Sequence, residues 1–579
     1  MNASLATTLG LSLAGLSVGP CLVALGRSRG RWRAGVEGFS LAVVPGLIAL
    51  RLFPHVLEEL GALAFGLAAA GYLALRLADR HDHARADHAS GATAVGVAIV
   101  LPALIAHAFT DGAALAMAGA SGGRAHMGPE LAGALVLHRL PEGMFLATAL
   151  VPALGWRRTI HRLMAMGLAT VLGAALGESL LRSVPDALFD GVMAFGLGAM
   201  LRLAVHAHDA GPDGASARAA SGAAFLLGVA ALLVIPDPHS ILDAAHPLEL
   251  SFARAAVALF VESAPAVLLG IVVAAAVRRV RLPFPGSRLA VEGRWRQAAQ
   301  GVIFGLPMPM CSCGAVPSAR ELLGQGAPLG AVLAFLIAAP ELDLGAIALS
   351  QGLLGHEVTL LRVAAGALTA LLVGAALGGA ETPRPLPAAP VEPDRGVLHG
   401  TARATDQIAA WFVLGIVAAA TLEAAVAPGA LASAPKALRY AFALLGALPM
   451  YLAPHASIPV AAVLVHKGLG LGPAVALLMG ASGANSWVLR LIAEARGRAA
   501  AARFGAAMLA TSVLVGAALE RLVAADAIPE VHALAAHDHG VVEVASAVAL
   551  GALLVGSVLR SGPRQWFKSL QPVRAEHTH

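Results

Sequence analysis

Along this chain the polar positions gather in short clusters, and between them lie apolar runs of about 18 or more residues, each able to cross a hydrocarbon core of roughly 30 Å as one helix. The first eight runs fall roughly at 4–26, 38–57, 60–78, 91–118, 131–154, 163–181, 187–206 and 219–235. Nine more fall near 251–277, 298–318, 327–350, 359–380, 406–428, 439–464, 471–491, 503–524 and 542–560. The pattern predicts an all-α polytopic integral membrane protein with about seventeen transmembrane helices.

The polar clusters between the runs set an orientation. "RSRGRWR" from Arg27, "RLADRHDHARADH" from Arg76 and "WRRTIHR" from Trp156 are basic or histidine-rich. The alternate loops, at Glu58–Glu59, from Arg124 to Glu130, at "SVPDALFD" from Ser183 and at "IPDPHSILDAAHPLE" from Ile235, are acidic or nearly neutral. With the basic set in the cytoplasm, the first eight helices have both ends outside. Further on, the loops from Arg278 and Arg490 and the tail from Arg560 are the cytoplasmic ones, which leaves the C-terminus inside. The start, "MNASLATTLG", lacks the basic leader of a secretory signal, so the first run reads as a retained helix with the N-terminus outside.

Composition narrows the class. Of 579 residues 58% are hydrophobic and 13% charged, with a mean hydropathy of +0.76, against about 25% charged in soluble domains. The pI near 9.5 comes from arginines in the short loops, which fits a lipid bilayer and not nucleic acid as partner. Lysine is confined to Lys436, Lys467 and Lys568 while Ala, Gly and Arg abound, as a GC-rich bacterial genome would produce; the expected location is a bacterial cytoplasmic membrane. Three cysteines make no disulfide framework. No P-loop occurs, which argues against a nucleotide-driven pump.

Two segments of the second half repeat. "LPMPMCSCGAVPSARELLGQGAPLGAVLAFLIAAPELD" from Leu306 aligns without gaps to "LPMYLAPHASIPVAAVLVHKGLGLGPAVALLMGASGAN" from Leu448, at a constant offset of 142 residues. Internal repeats with Gly/Pro-interrupted helices mark transporter folds with a site near the membrane midplane. The expected division is a first module at 1–236, a linker at 237–250, repeat 1 at 251–380, a Pro-rich linker at 381–405, repeat 2 at 406–525, and a histidine-containing loop, last helix and basic tail at 526–579. Four spans per repeat make the repeats parallel; a re-entrant cysteine segment would make them inverted.

Two constellations carry chemistry. In the first, His55, Glu58 and Glu59 lie in "RLFPHVLEEL", His107 and Asp111 in "ALIAHAFTDGAALA", and His138 and Glu142 in "LVLHRLPEGMFLA". The pairs His107/Asp111 and His138/Glu142 are each four apart and so share a helix face. Imidazole and carboxylate together suit zinc and other first-row divalent ions, and Pro141 frees the Leu137 carbonyl as a further ligand. The alternative is polar glue between helices, although intramembrane ionisable groups are expensive and usually functional. "HRLPE" lacks the second His of H-E-x-x-H, so a metalloprotease is not supported.

"HAFTDG", "HRLPEG", the "FPHVLEE" helix, the His-rich loop, "GE" at Gly177–Glu178 and "AFGLGAMLRLAVHAHD" from Ala194 resemble the ZIP metal transporters over about residues 1–236. The resemblance implies eight helices, transport ligands at His107, Asp111, His138, Glu142 and Glu178, with weaker candidates at His55 and Glu59, and a cytoplasmic metal-sensing patch at His81, His83 and His88. Ala108 and Arg139 depart from that family's pattern. Arg139 sets a fixed positive charge where a second cation would sit, so one metal is expected there.

In the second constellation, Cys311 and Cys313 sit among Pro307, Pro309, Gly314 and Pro317. In a regular helix residues two apart diverge, but an unwound stretch lining a cavity lets two thiols converge on a soft ion. The repeat sets Cys313 against His455, with Met308, Met310 and Met450 as soft neighbours. The thiols also read as small buried hydrophobes or a redox pair. "CSCGAVP", "FLIAAPELD" and "FVESAPAVLLG" resemble, over about residues 250–525, the bacterial predicted permeases, a family that includes organoarsenical efflux permeases. The resemblance implies Cys311, Cys313, Asp343 and Asn485 as functional residues.

The reading is a fusion of two transporter modules and not an enzyme, with zinc or another divalent ion as cargo of the first and a metal, metalloid or other small solute as cargo of the second. No tightly bound cofactor is expected, and a homo-oligomer is compatible with it. Two alternatives stay open: a metal-binding membrane sensor or scaffold that does not conduct, and a thiol-dependent membrane redox enzyme.

Overall fold

The computed structural model describes residues 3–25, 30–47, 63–83, 129–181, 186–206, 214–234, 248–280, 291–306, 312–378, 396–447, 454–522 and 539–569, with single positions or short stretches at 56, 60–61, 101, 104–105, 107–109, 111–113, 115–116, 289 and 308. Among them all regular secondary structure is α-helical apart from one short 3-10 position. Among the described residues eight helices are long and apolar enough to cross a membrane, nine if one bent pair counts as a single span. The protein is thus a multi-pass helical membrane protein. The count of about seventeen spans goes beyond what the described helices give, because several are only half as long as a bilayer is thick.

The chain divides into two compact units, one of residues 1–246 with 558–567 and one of residues 247–557 with 568–579. In the first unit, α1 (Ala3–Leu25) packs on α4 (Pro129–Leu181), α2 (Gly30–Leu47) on α6 (Ala215–Val234), and α3 (Leu63–His83) on α5 (Asp186–His206). The 53 residues of α4 are two helices joined at Gly155, whose φ of 75° interrupts the helical backbone. Small residues set these crossings. A Cβ at Gly19 would strike the Met144 amide, and one at Gly143 the Leu16 carbonyl, so α1 and α4 meet backbone to backbone as membrane helices often do.

The second unit shows the repeat as structure. Its long first helix α7 (Leu248–Val280) is followed by α8 (Arg294–Gly305), α9 (Ser312–Gly324), α10 (Leu329–Glu341) and α11 (Leu344–Leu377). The second copy runs through α12 (Val397–Ala425), α13 (Lys436–Ala447), α14 (Pro454–His466), α15 (Leu471–Gly483), α16 (Ser486–Arg496) and α17 (Arg498–Leu522). α13, α14 and α15 each begin and end 142 residues after α8, α9 and α10. Gly355, at φ 81°, breaks α11 where Gly497, at φ 89°, separates α16 from α17. The last helices are α18 (Val541–Ser561) and α19 (Pro563–Lys568).

The helices of 12 and 13 residues reach only about 18–20 Å, short of a hydrocarbon core. One bent pair among them, α15 and α16, meets at 51°. Within the unit α7 packs on α12, α10 on α15, α11 on α14 and α9 on α16, so the two copies interlock. Every residue of α10 and of α15 is buried. These two half-length helices form the centre of the unit.

At Gly374 an added Cβ would lie 2.8 Å from both the Gly330 carbonyl and the Ala334 Cβ. Gly374→Leu is expected to cost about 1–3 kcal/mol by overpacking. A lowered melting temperature of the purified chain in detergent is the readout, with the exposed Leu368→Ala unchanged.

Candidate functional site

The centre of the second unit is a knot of ionisable side chains at the two helix breaks. Pro340 and Glu341 close α10, Leu342 leaves the helix, and Asp343 caps α11 by accepting the Ala346 N–H at 3.2 Å. At the equivalent break Asn485 caps α16, accepting from the N–H groups of Trp487 (3.1 Å) and Val488 (3.0 Å). The caps satisfy amides that a break at membrane depth would otherwise leave orphaned.

Glu341 is 1% exposed, and one carboxylate oxygen accepts from Arg362 Nη1 at 2.8 Å. The other accepts from the Ser482 hydroxyl, and Asn485 Nδ2 donates to the Ser482 carbonyl. A chain of hydrogen bonds therefore runs from Arg362 in repeat 1 through Glu341 to Ser482 and Asn485 in repeat 2. Beside it, His455 Nε2 of α14 lies 3.4 Å from Asp343 Oδ2. Gly345 and Gly270 make room for the imidazole: a Cβ at Gly345 would come within 2.8 Å of His455 Nε2, and one at Gly270 within 3.4 Å. Arg362 Nε and Nη2 and both ring nitrogens of His455 are buried without a hydrogen-bond partner. Buried polar atoms of this kind are costly unless something else engages them.

Of the residues expected from the sequence, Asp343, His455 and Asn485 meet here. Cys311 lies outside the described residues, and of Cys313 only the helical backbone, in α9, is described. Glu341, Arg362 and Ser482 were not anticipated. Arg362 carried a signal, as a lone arginine inside the apolar run 359–380.

In the first unit, His107 Nε2 lies 3.7 Å from Asp111 Oδ2, and both residues are buried. Arg139, 1% exposed, reaches Asp111 Oδ2 at 3.1 Å and Glu142 Oε2 at 2.8 Å. It also donates to Thr170 Oγ1 (2.9 Å) and the Ala108 carbonyl (3.3 Å). The guanidinium thus engages two carboxylates of the expected ligand set, Asp111 and Glu142. The side chains of His138, Glu178, His81 and His83 lie outside the described residues, as do His55, Glu59 and His88 entirely. Among the described residues no group of three or more His, Cys, Asp or Glu is arranged to hold a metal ion.

The second unit is thus a duplicated, broken-helix membrane unit around a buried polar knot. Residues 219–386 match the family described as "Predicted permease". The chain is similar to UPF0718 protein YraQ of Escherichia coli (strain K12), 26% identical over 235 residues that cover 39% of this chain and 68% of that protein. It is also similar to UPF0718 protein YcgR of Bacillus subtilis (strain 168), 28% identical over 87 residues, 15% of this chain and 30% of that one. No solved structure matches the chain significantly. These likenesses point to a membrane transporter and not to an enzyme; the family match runs from α6 through the first copy of the repeat, and no likeness to a ZIP family was found.

Arg362→Ala leaves the Glu341 carboxylate buried and unpaired, which is expected to cost about 3–5 kcal/mol. The double variant Glu341→Gln, Arg362→Gln is expected to be milder than Arg362→Ala alone, as read by thermal melts of the purified chain.

Proposed function

We propose that residues 248–522 form a permease that moves a small solute across the cytoplasmic membrane by alternating access, with the two repeats rocking about the knot of Glu341, Asp343, Arg362, His455, Ser482 and Asn485. The observation that carries this reading is the meeting of both helix breaks at buried polar atoms left without partners. Transporters place substrate sites at such discontinuities, where half-helix ends and unwound backbone face a cavity. The cargo proposed is a soft metal or metalloid species, with Cys311, Cys313 and His455 as its ligands, since thiolate and imidazole select such ions.

For the first unit the proposal is a divalent-ion site, zinc being the best fit to His107, Asp111, His138 and Glu142, with Glu178 as a further ligand. The contacts of Arg139 favour a second reading, in which this unit binds metal without conducting it. A guanidinium held by two carboxylates is a resident counter-ion that an entering cation has to displace.

Cells expressing the full chain should change their tolerance of zinc or of a trivalent arsenical by about tenfold or more. His455→Ala should remove the arsenical effect and leave any zinc effect of the first unit. Unchanged tolerance to both would contradict the transporter reading. If zinc tolerance alone is unchanged, and the purified full chain still binds zinc in a manner lost in His107→Ala, the non-conducting reading of the first unit holds.

A further inference from the structure

Only one of the three guanidinium nitrogens of Arg362 is in use. Nη1 donates to Glu341 at 2.8 Å, while Nε and Nη2 are buried and donate to nothing among the described residues. The residue is 1% exposed, so water does not serve them instead. Nε–H and one Nη2–H point the same way and form a planar fork, which fits two oxygens held on one central atom. Beside it the His455 ring, whose two nitrogens also lack partners, brings at least one further N–H. We propose that the Arg362 fork is the subsite for the oxygens of the permease's solute, and that the solute is bound as an uncharged hydroxide, with two or more hydroxyls on one central atom. This rests on the permease reading above and deepens it by stating the form in which the solute is recognised.

The charges around the fork decide against an anion. Asp343 and Arg362 act electrostatically on His455, and Asp343 acts on Arg362 as well, so the three are neighbours. Glu341 and Asp343 bring two carboxylates against one guanidinium, and the imidazole adds one positive charge at most. The sum is never positive, with or without a proton on His455. A buried site of that charge gives an anion hydrogen bonds but nothing to offset the loss of its water. A bare cation, in turn, has no oxygen to offer the unused N–H groups. A neutral hydroxyl meets both needs: its oxygen accepts from the fork, and its hydrogen has the Asp343 carboxylate within the same group of side chains.

The second copy shows that closing such a helix break does not by itself call for an arginine. At the offset of 142, Glu341 becomes Gly483 and Arg362 becomes Phe504. Phe504 and Met508 are buried there in the apolar core, and the Met508 methyl takes the place that a Cβ at Gly483 would occupy. Asn485 still caps the following helix, as Asp343 does in the first copy. Well-packed apolar groups commonly replace a buried ion pair without loss of stability. The first copy keeps the pair nonetheless and leaves the side edge of its guanidinium unused, which suits a binding group better than a strut. One oxygen subsite per duplicated unit follows.

The test uses the purified full chain, with boric acid, arsenous acid and phosphate as probes. The first two are undissociated hydroxides near neutral pH, phosphate is an anion, and boric acid has no affinity for thiols. Both hydroxides should raise the melting temperature, and boric acid should displace radioactive arsenous acid; phosphate should do neither. Arg362→Lys keeps a charge for Glu341 but has no fork, and should weaken binding of both hydroxides about tenfold or more while the melting temperature without probe holds. Unchanged affinity in a folded Arg362→Lys, or phosphate bound more tightly than boric acid, overturns the subsite. If Arg362→Lys does not fold, the wild type decides, since arsenous acid that boric acid fails to displace is held by something other than an oxygen subsite. Binding of neither hydroxide also overturns it. Uptake of radioactive arsenous acid into proteoliposomes tests the permease reading separately. Binding of both hydroxides without uptake overturns that reading and leaves the subsite standing, whereas equal uptake by the wild type and a folded Arg362→Lys overturns the subsite and leaves the permease standing.

Discussion

The second unit depends on one buried ion pair, Arg362 with Glu341, and on the hydroxyl of Ser482 that takes the carboxylate's other oxygen. Glu341 closes a buried helix of 13 residues, too short to cross a bilayer, and such a stop within a membrane is tolerable only if its polar groups are met by protein. Arg362 meets it from the second half of α11, and Gly366 lets that helix come close, since a Cβ there would lie 3.0 Å from Glu341 Cβ. Ser482 brings the equivalent break of the second copy to the same point. Removing Glu341 or Arg362 leaves the other's charge stranded, and removing Ser482 leaves a buried carboxylate oxygen without its donor, which ties the polar knot to the interlocked half-helices.

Much of this fold was legible in the chain. The apolar runs announce membrane helices, and the 142-residue offset announces a duplication that recurs residue for residue in the helix ends. The halving of helices was not legible from hydropathy. "LIAAPELDLGAIAL" stays apolar enough on average to read as one span, although Pro340 and the cap at Asp343 divide it. The reverse held for "FGLPMPMCSCG", where prolines and glycines mark the break openly.

The site was legible only in part, for a related reason. Asp343 and Asn485 stand out as paired polar ends of the two repeat segments, and His455 as the counterpart of a thiol. Glu341 and Arg362 are 21 residues apart across a break, and no helical or strand spacing joins them. Ser482 is one small hydroxyl 141 residues from the carboxylate it meets. Such partners are fixed by the way the copies interlock, which a linear pattern does not carry. In the first unit the opposite obtains: His107, Asp111 and Glu142 are legible by their spacing, while the role of Arg139 emerges only from the distances it makes to both carboxylates.

The central claim is that the knot at the two breaks is the point about which access alternates. The most direct measurement is alkylation of Ser482→Cys by a membrane-impermeant thiol reagent, with Cys21, Cys311 and Cys313 replaced by Ser, applied to right-side-out and to everted vesicles. Access that alternates about this point predicts that the thiol reacts from both sides of the membrane. Labelling from one side only, or from neither, would contradict it.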